Sequence, residues 1–233
     1  MKKEESIGLI MVKPHAVEAG LDVTIQDFLN GGNNWLTDRL NLPKEFIEKF
    51  LEKTKIYKTF YRDFGDKSAK SRRIIETFYT KARNDRYYPT LLENNLGKVA
   101  FFFLLYDGPQ DEFNDVINKF KGFPPLYVNS QFVAGHGLRG AILTPSEKAN
   151  GKTLEGLPDE DYTKAISSIL KNGIHTPDSA GETSLALLGI MTARDAIEIK
   201  NDNPELYAKI AHLASNPEDK DLQKWITTLA KKG

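Results

Sequence analysis

Val99-Ala100-Phe101-Phe102-Phe103-Leu104-Leu105-Tyr106 is an unbroken apolar run closed by Asp107-Gly108-Pro109. A short aromatic-rich run ended by a Gly-Pro turn signal predicts a strand, and it is the strongest strand signal in the chain. Working outward, Ser6 to Val12 (SIGLIMV) ends at Lys13-Pro14 and predicts a buried strand whose C-terminal end presents Lys13. Lys55 to Phe60 (KIYKTF) alternates, as a strand with one wet face does. Helical spacing fills much of the rest. It covers Ala16 to Leu29 with an interruption at Gly20, and a short helix opened by Leu42-Pro43-Lys44-Glu45. It returns over Lys67 to Ala82, Thr90 to Asn94, Asp111 to Phe120 and Asp159 to Lys171. Gly173 to His175 reads as an extended stub. A helix from Asp178 to about Leu188 follows, with Ser179 and Glu182 in a capping-box pattern. Ala193 to Lys232 reads as two or more polar amphipathic helices, and Gly122 to Leu157, rich in Gly and Pro, as a long functional loop. This order of elements predicts an α+β fold with helices covering one face of a small sheet.

Composition limits the chemistry. Hydrophobic residues make up 40% of the 233 and charged residues 27%, enough apolar material for a core without disulfides. The formal net charge is zero, which argues against general binding to nucleic acid or membranes. With no cysteine there is no disulfide framework, thiolate metal site or cysteine nucleophile. The first apolar segment is too short for a signal peptide or a membrane span, so a cytoplasmic protein is expected.

The chain has four histidines. His212 falls on a late helix. His15, after Lys13-Pro14 at a strand end, and His136, between two glycines, read either as loop residues without chemistry or as ligand contacts. His175 lies in Asn172-Gly173-Ile174-His175-Thr176-Pro177-Asp178-Ser179, between a glycine and a capped helix start. Free N–H groups at a helix N-terminus favour phosphate, and a neutral imidazole is a nucleophile. A lone histidine is more often structural than catalytic, and on these grounds both readings stand. Arg139, between Gly137 and Gly140, has the backbone freedom to bring a guanidinium to a phosphate; the plainer reading is a solvated loop charge. No P-loop, zinc-protease motif or protein-kinase loop is present.

At these residues the chain resembles the nucleoside diphosphate kinase family. Ile10-Met11-Val12-Lys13-Pro14-His15-Ala16-Val17 resembles the family's opening strand and Lys-Pro-Asp-Gly-Val motif. Phe78-Tyr79 with Tyr87-Tyr88-Pro89 resembles its His-Tyr…Phe-Phe segment, and Leu138-Arg139-Gly140 its Ile-Arg-Gly. Asn172 to Ser179 resembles its Asn-x-x-His-Gly-Ser-Asp-Ser. The resemblance implies a ferredoxin-like antiparallel sheet with helices packed on it. It divides the chain into a kinase-like domain at 1–190, with insertions at about 30–54 and 143–165, and a helical extension at 191–233.

The resemblance also implies an activity, phosphate transfer from a nucleoside triphosphate to a nucleoside diphosphate by ping-pong through a phosphohistidine. His175 is then the phosphate carrier, and Lys13 and Tyr79 are the other catalytic residues. Lys13, Tyr87, Lys119, Arg139 and Asn172 bind nucleotide, with Lys119 replacing a family arginine. Mg²⁺ rides on the nucleotide phosphates without protein ligands. ATP and other nucleotides are the partners, and a homo-oligomer is expected. The family aims its histidine with a serine and a glutamate; here Pro177 and Ala186 stand at those positions, and Glu182 is either a substitute or a simple capping residue. The alternative implied is a nucleotide-binding regulatory or assembly domain with weakened catalysis.

Overall fold

A computed structural model of the chain describes residues 5–124, 126–128, 131–142 and 172–217, with isolated positions at 158, 160, 161, 220, 223 and 227. Three long strands, β1 (Glu5–Val12), β2 (Thr54–Asp63) and β3 (Lys98–Asp107), form the sheet with the two-residue β6 (Ile174–His175). A separate hairpin pairs β4 (Leu126–Val128) with β5 (Gln131–Val133). The main sheet runs β2-β3-β1-β6 with every neighbour antiparallel, the ferredoxin-like arrangement in which the third strand inserts between the first two.

Helices cover both faces of this sheet, which corrects the expectation of a single covered face. Every residue from Val99 to Tyr106 is buried. Phe101, Phe103 and Leu105 join a core with α5 (Ala69–Glu76), α6 (Tyr88–Glu93), α9 (Ala180–Ile190), α10 (Ala193–Asp202) and α11 (Pro204–Ser215). Ala100, Phe102, Leu104 and Tyr106 face the other way. They pack with α1 (Pro14–Glu18), α2 (Leu21–Leu29), α3 (Trp35–Arg39), α4 (Lys44–Lys53), α7 (Gln110–Lys121) and α8 (Gly137–Ile142). An apolar run without alternation is what a strand buried on both faces requires, and each large side chain so buried contributes about 1.5–3 kcal/mol.

Residues 30–54 supply much of the second face. Leu36, Leu40, Ile47 and Phe50 are in its core, and the Phe50 ring stacks on Phe120 at 4.2 Å between centroids. The segment after α9 is likewise fastened to the sheet. Arg62 of β2 donates to the Ile190 carbonyl (2.7 Å) and pairs with Asp195, while Ile199, Leu206 and Ile210 fill the first core.

Other elements depart from the sequence reading. The helix expected over Lys67 to Ala82 stops at Glu76, because the Thr77 hydroxyl bonds the Ile74 carbonyl and Phe78 and Tyr79 turn into the core. A single 3₁₀ turn (Thr80–Ala82) follows. Gly20, at φ 72°, splits the first helical stretch into α1 and α2. The expected loop from Gly122 holds the β4–β5 hairpin and α8; its remainder and most of the helix expected over Asp159 to Lys171 lie outside the described residues. No helix among the described residues is long and apolar enough to cross a membrane.

Candidate functional site

The end of β1 and the stub β6 build the site together. Met11 pairs with His175 and Val12 with Ile174, so the chain on both sides of the ladder converges where β1 ends. Lys13 is the first residue past β1. Its N–H donates to the Gly173 carbonyl (2.9 Å), and Pro14 then starts α1 with a preset φ. Gly173 has φ +75°, which favours glycine, and a Cβ there would also displace the end of the Ile142 side chain. The Gly173 N–H in turn donates to His15 Nε2 (3.1 Å). Arg139 of α8 clamps the next peptide, donating from Nη2 (3.0 Å) and Nε (3.3 Å) to the Ile174 carbonyl.

The His175 ring lies 4.5 Å from the Tyr79 ring between centroids, with the edge of Phe78 at 6.2 Å. Lys13 Nζ stands 5.8 Å from the centre of the Tyr79 ring. The Tyr79 hydroxyl donates to Asn95 Oδ1 (3.3 Å), and Asn95 is itself anchored on the Leu91 carbonyl. Lys121, the last residue of α7, approaches from the far side, 3.9 Å from Asp178.

The electrostatics have one direction. Burial, then the nearby Lys13, Lys121 and Arg139 charges, hold the His175 imidazole well below the ordinary histidine value; the Phe78 carbonyl opposes them. Burial and Arg139 push the Lys13 ammonium down to about 7. Lys121 and Arg139 are also lowered, each first by burial. Burial raises the Tyr79 hydroxyl, which therefore keeps its proton to donate. An anion placed among these crowded cations would relieve their mutual repulsion.

Three polar atoms within five residues are buried without a hydrogen-bond partner: Asn172 Oδ1, His175 Nε2 and Thr176 Oγ1. Buried polar groups are nearly always paired, so a cluster of orphans calls for an explanation.

Lys13, Tyr79, Arg139 and His175 thus come together, with Asn172 on the same stub. Tyr87 stands at the start of α6, half-buried against the first core. Lys119 is not at the site: it is exposed, its Nζ 4.7 Å from the centre of the Phe46 ring on α4. The cation that acts on His175 from α7 is Lys121, two residues on, which sequence reasoning missed; the available signal was a lysine in the last helical turn directly before Gly122.

Glu182 caps α9: Oε2 accepts the Asp178 N–H (2.7 Å) and Oε1 the Thr80 hydroxyl (3.3 Å), while its own N–H donates to Ser179. Ala186 is fully buried. His136 packs edge-on against Phe123 in a bridge that closes the loop, and His212 is exposed on α11.

No protein-family model and no curated protein matches the chain. Among solved structures, the nucleoside diphosphate kinase of Aquifex aeolicus is similar with a TM-score of 0.43 and 17% identity, covering 82% of this chain and 99% of that one. The nucleoside diphosphate kinase of Encephalitozoon cuniculi is similar with a TM-score of 0.42 and 16% identity, covering 84% and 86%.

Proposed function

We propose that this chain is a phosphotransferase that moves the terminal phosphate of a nucleoside triphosphate to a nucleoside diphosphate through His175. The observation that carries the reading is a half-buried imidazole kept neutral by desolvation and surrounding cations. A neutral ring is the nucleophilic form, and the same cations neutralise charge on a transferring phosphoryl group.

Nε2 is walled in by protein, so Nδ1 attacks. The γ-phosphorus–oxygen bond breaks, the N–P bond forms and the diphosphate departs. The second diphosphate then takes the group by the reverse step. Arg139 and Lys121 face the phosphates, Lys121 in the part first given to Lys119. The Tyr79 hydroxyl, on leaving Asn95 Oδ1, donates to them, and Lys13 bridges phosphate and sugar. Asn172 Oδ1, buried and unpaired in the unliganded protein, receives a ribose hydroxyl once the side chain turns outward. Tyr87 offers a ring for the base, and stacking of that kind reads a π-face without discriminating bases. Mg²⁺ enters on the nucleotide, since a cluster of cations attracts the metal–phosphate complex and repels the bare ion; when bound it offsets phosphate charge.

Incubation with γ-labelled ATP tests this. An acid-labile, alkali-stable label is expected and is lost in His175→Ala. An unlabelled wild-type protein, or a label that survives the substitution, overturns the reading.

A second reading, a nucleotide-binding regulatory or assembly domain with little turnover, is favoured by one observation. His175 Nε2 has no acceptor, and Ala186 occupies the place that resemblance gives to an orienting glutamate. That domain would show an ADP-induced thermal shift without ATP-to-GDP exchange. Either reading is compatible with a homo-oligomer, measured by light scattering.

A further inference from the structure

We infer that His15 is a positioning residue for the phosphate-carrying stub. The stub holds itself poorly: β6 pairs with β1 at two positions only. Gly173 precedes it, buried and in a left-handed conformation, and its N–H lies outside the ladder. A buried backbone donor needs an acceptor, and here the acceptor is the imidazole Nε2 of His15, 3.1 Å away.

The Gly173 carbonyl accepts from Lys13 N–H. One turn, Lys13-Pro14-His15, therefore grips Gly173 by both its N–H and its carbonyl. Asn172 lies on one side of that residue and Ile174-His175 on the other, so the grip sets where Asn172 Oδ1 and the His175 ring point. To accept, His15 Nε2 must carry a lone pair, which puts the ring proton of neutral His15 on Nδ1. His15 touches no reacting atom in this scheme; it acts through Gly173.

The kinetic consequence rests on the phosphotransfer reading, and the backbone consequence does not. Three variants separate them. In His15→Gln the side-chain oxygen stands about where Nε2 stands; His15→Asn is polar but too short, and His15→Leu has no acceptor. Amide hydrogen exchange at Gly173 is expected to be slow in the wild type and His15→Gln and faster in the other two. The rate of label transfer from γ-labelled ATP should fall roughly tenfold in His15→Asn and His15→Leu, the scale of one lost buried hydrogen bond, and recover in His15→Gln.

The inference is overturned if Gly173 is equally protected in His15→Asn, or if its exchange responds while labelling rates stay equal. A wild-type protein that takes no label removes the phosphotransfer reading alone. The amide comparison then decides whether His15 holds the stub.

Discussion

Replacing Lys13 by methionine should make the unliganded protein more stable at neutral pH. Lys13 is 1% exposed, and burial followed by repulsion from Arg139 brings its ammonium from 10.5 to about 7. Between pH 7 and 10.5 the unfolded chain therefore binds more protons at this residue than the folded one. Stability rises with pH through that window and is lowest below it. At about 1.4 kcal/mol per unit, keeping this lysine folded costs roughly 4 kcal/mol at pH 7 and roughly 2 kcal/mol at pH 9.

Methionine keeps most of the stem and removes the charge. The expected gain at pH 7 is bounded by roughly 4 kcal/mol and reduced by whatever the ammonium bonds contribute; for a chain of this size each kcal/mol moves Tm by about 2–4 °C. Urea melts of wild type and Lys13→Met at pH 7 and pH 9 measure it, and the gap should narrow by about 2 kcal/mol between the two. Saturating ADP should stabilise the wild type more than the variant, because an anion favours the charged form of the lysine. A variant less stable at both pH values, or a gap that ignores pH, would refute the reasoning.

Gly173→Ala should cost more than Gly20→Ala. Both residues have positive φ, worth roughly 1–2 kcal/mol to an added Cβ, but open space surrounds Gly20 while Ile142 blocks Gly173; equal melting temperatures would sink this account of the stub. Lys121→Gln should slow labelling of His175 by about tenfold or more, while Lys119→Gln, which loses only its contact with Phe46, should leave it within about twofold; the reverse order would return Lys119 to the site. Glu182→Gln should keep labelling within a few-fold, because an amide oxygen still accepts the Asp178 N–H, whereas Glu182→Ala should lower Tm by removing the bonds to both the Asp178 N–H and the Thr80 hydroxyl. A Gln variant that folds but takes no label would make Glu182 the orienting carboxylate.

Much of the sheet was legible in the sequence because β1 and β3 are apolar runs ended by Lys-Pro and Gly-Pro and β2 alternates. On the second face α1, α2, α4 and α7 were legible from helical spacing and α3 and α8 were not, and no local signal showed that these helices cover a second face of the sheet. That gap explains the error at α7. Successive helical residues turn by about 100°, so Lys119 and Lys121 point to opposite sides of one helix. Which side meets His175 depends on α4, whose Phe46 takes Lys119.

The imidazole raises the same difficulty at atomic scale. Position and neutrality of His175 follow from its neighbours, but reactivity also depends on which nitrogen holds the proton. Attack through Nδ1 needs the proton on Nε2, and Nε2 is buried without an acceptor. Nε2 is orphaned whether it carries a proton or a lone pair, but the Phe78 carbonyl can accept from the other ring nitrogen only in the unreactive tautomer, so that tautomer is favoured by the worth of one hydrogen bond, about 0.5–1.5 kcal/mol. The cations that would bind phosphate do not touch this penalty. On the phosphotransfer reading, phosphate affinity and transfer rate are therefore set by different atoms: Arg139 and Lys121 would hold the nucleotide while the ring waits for its proton to move.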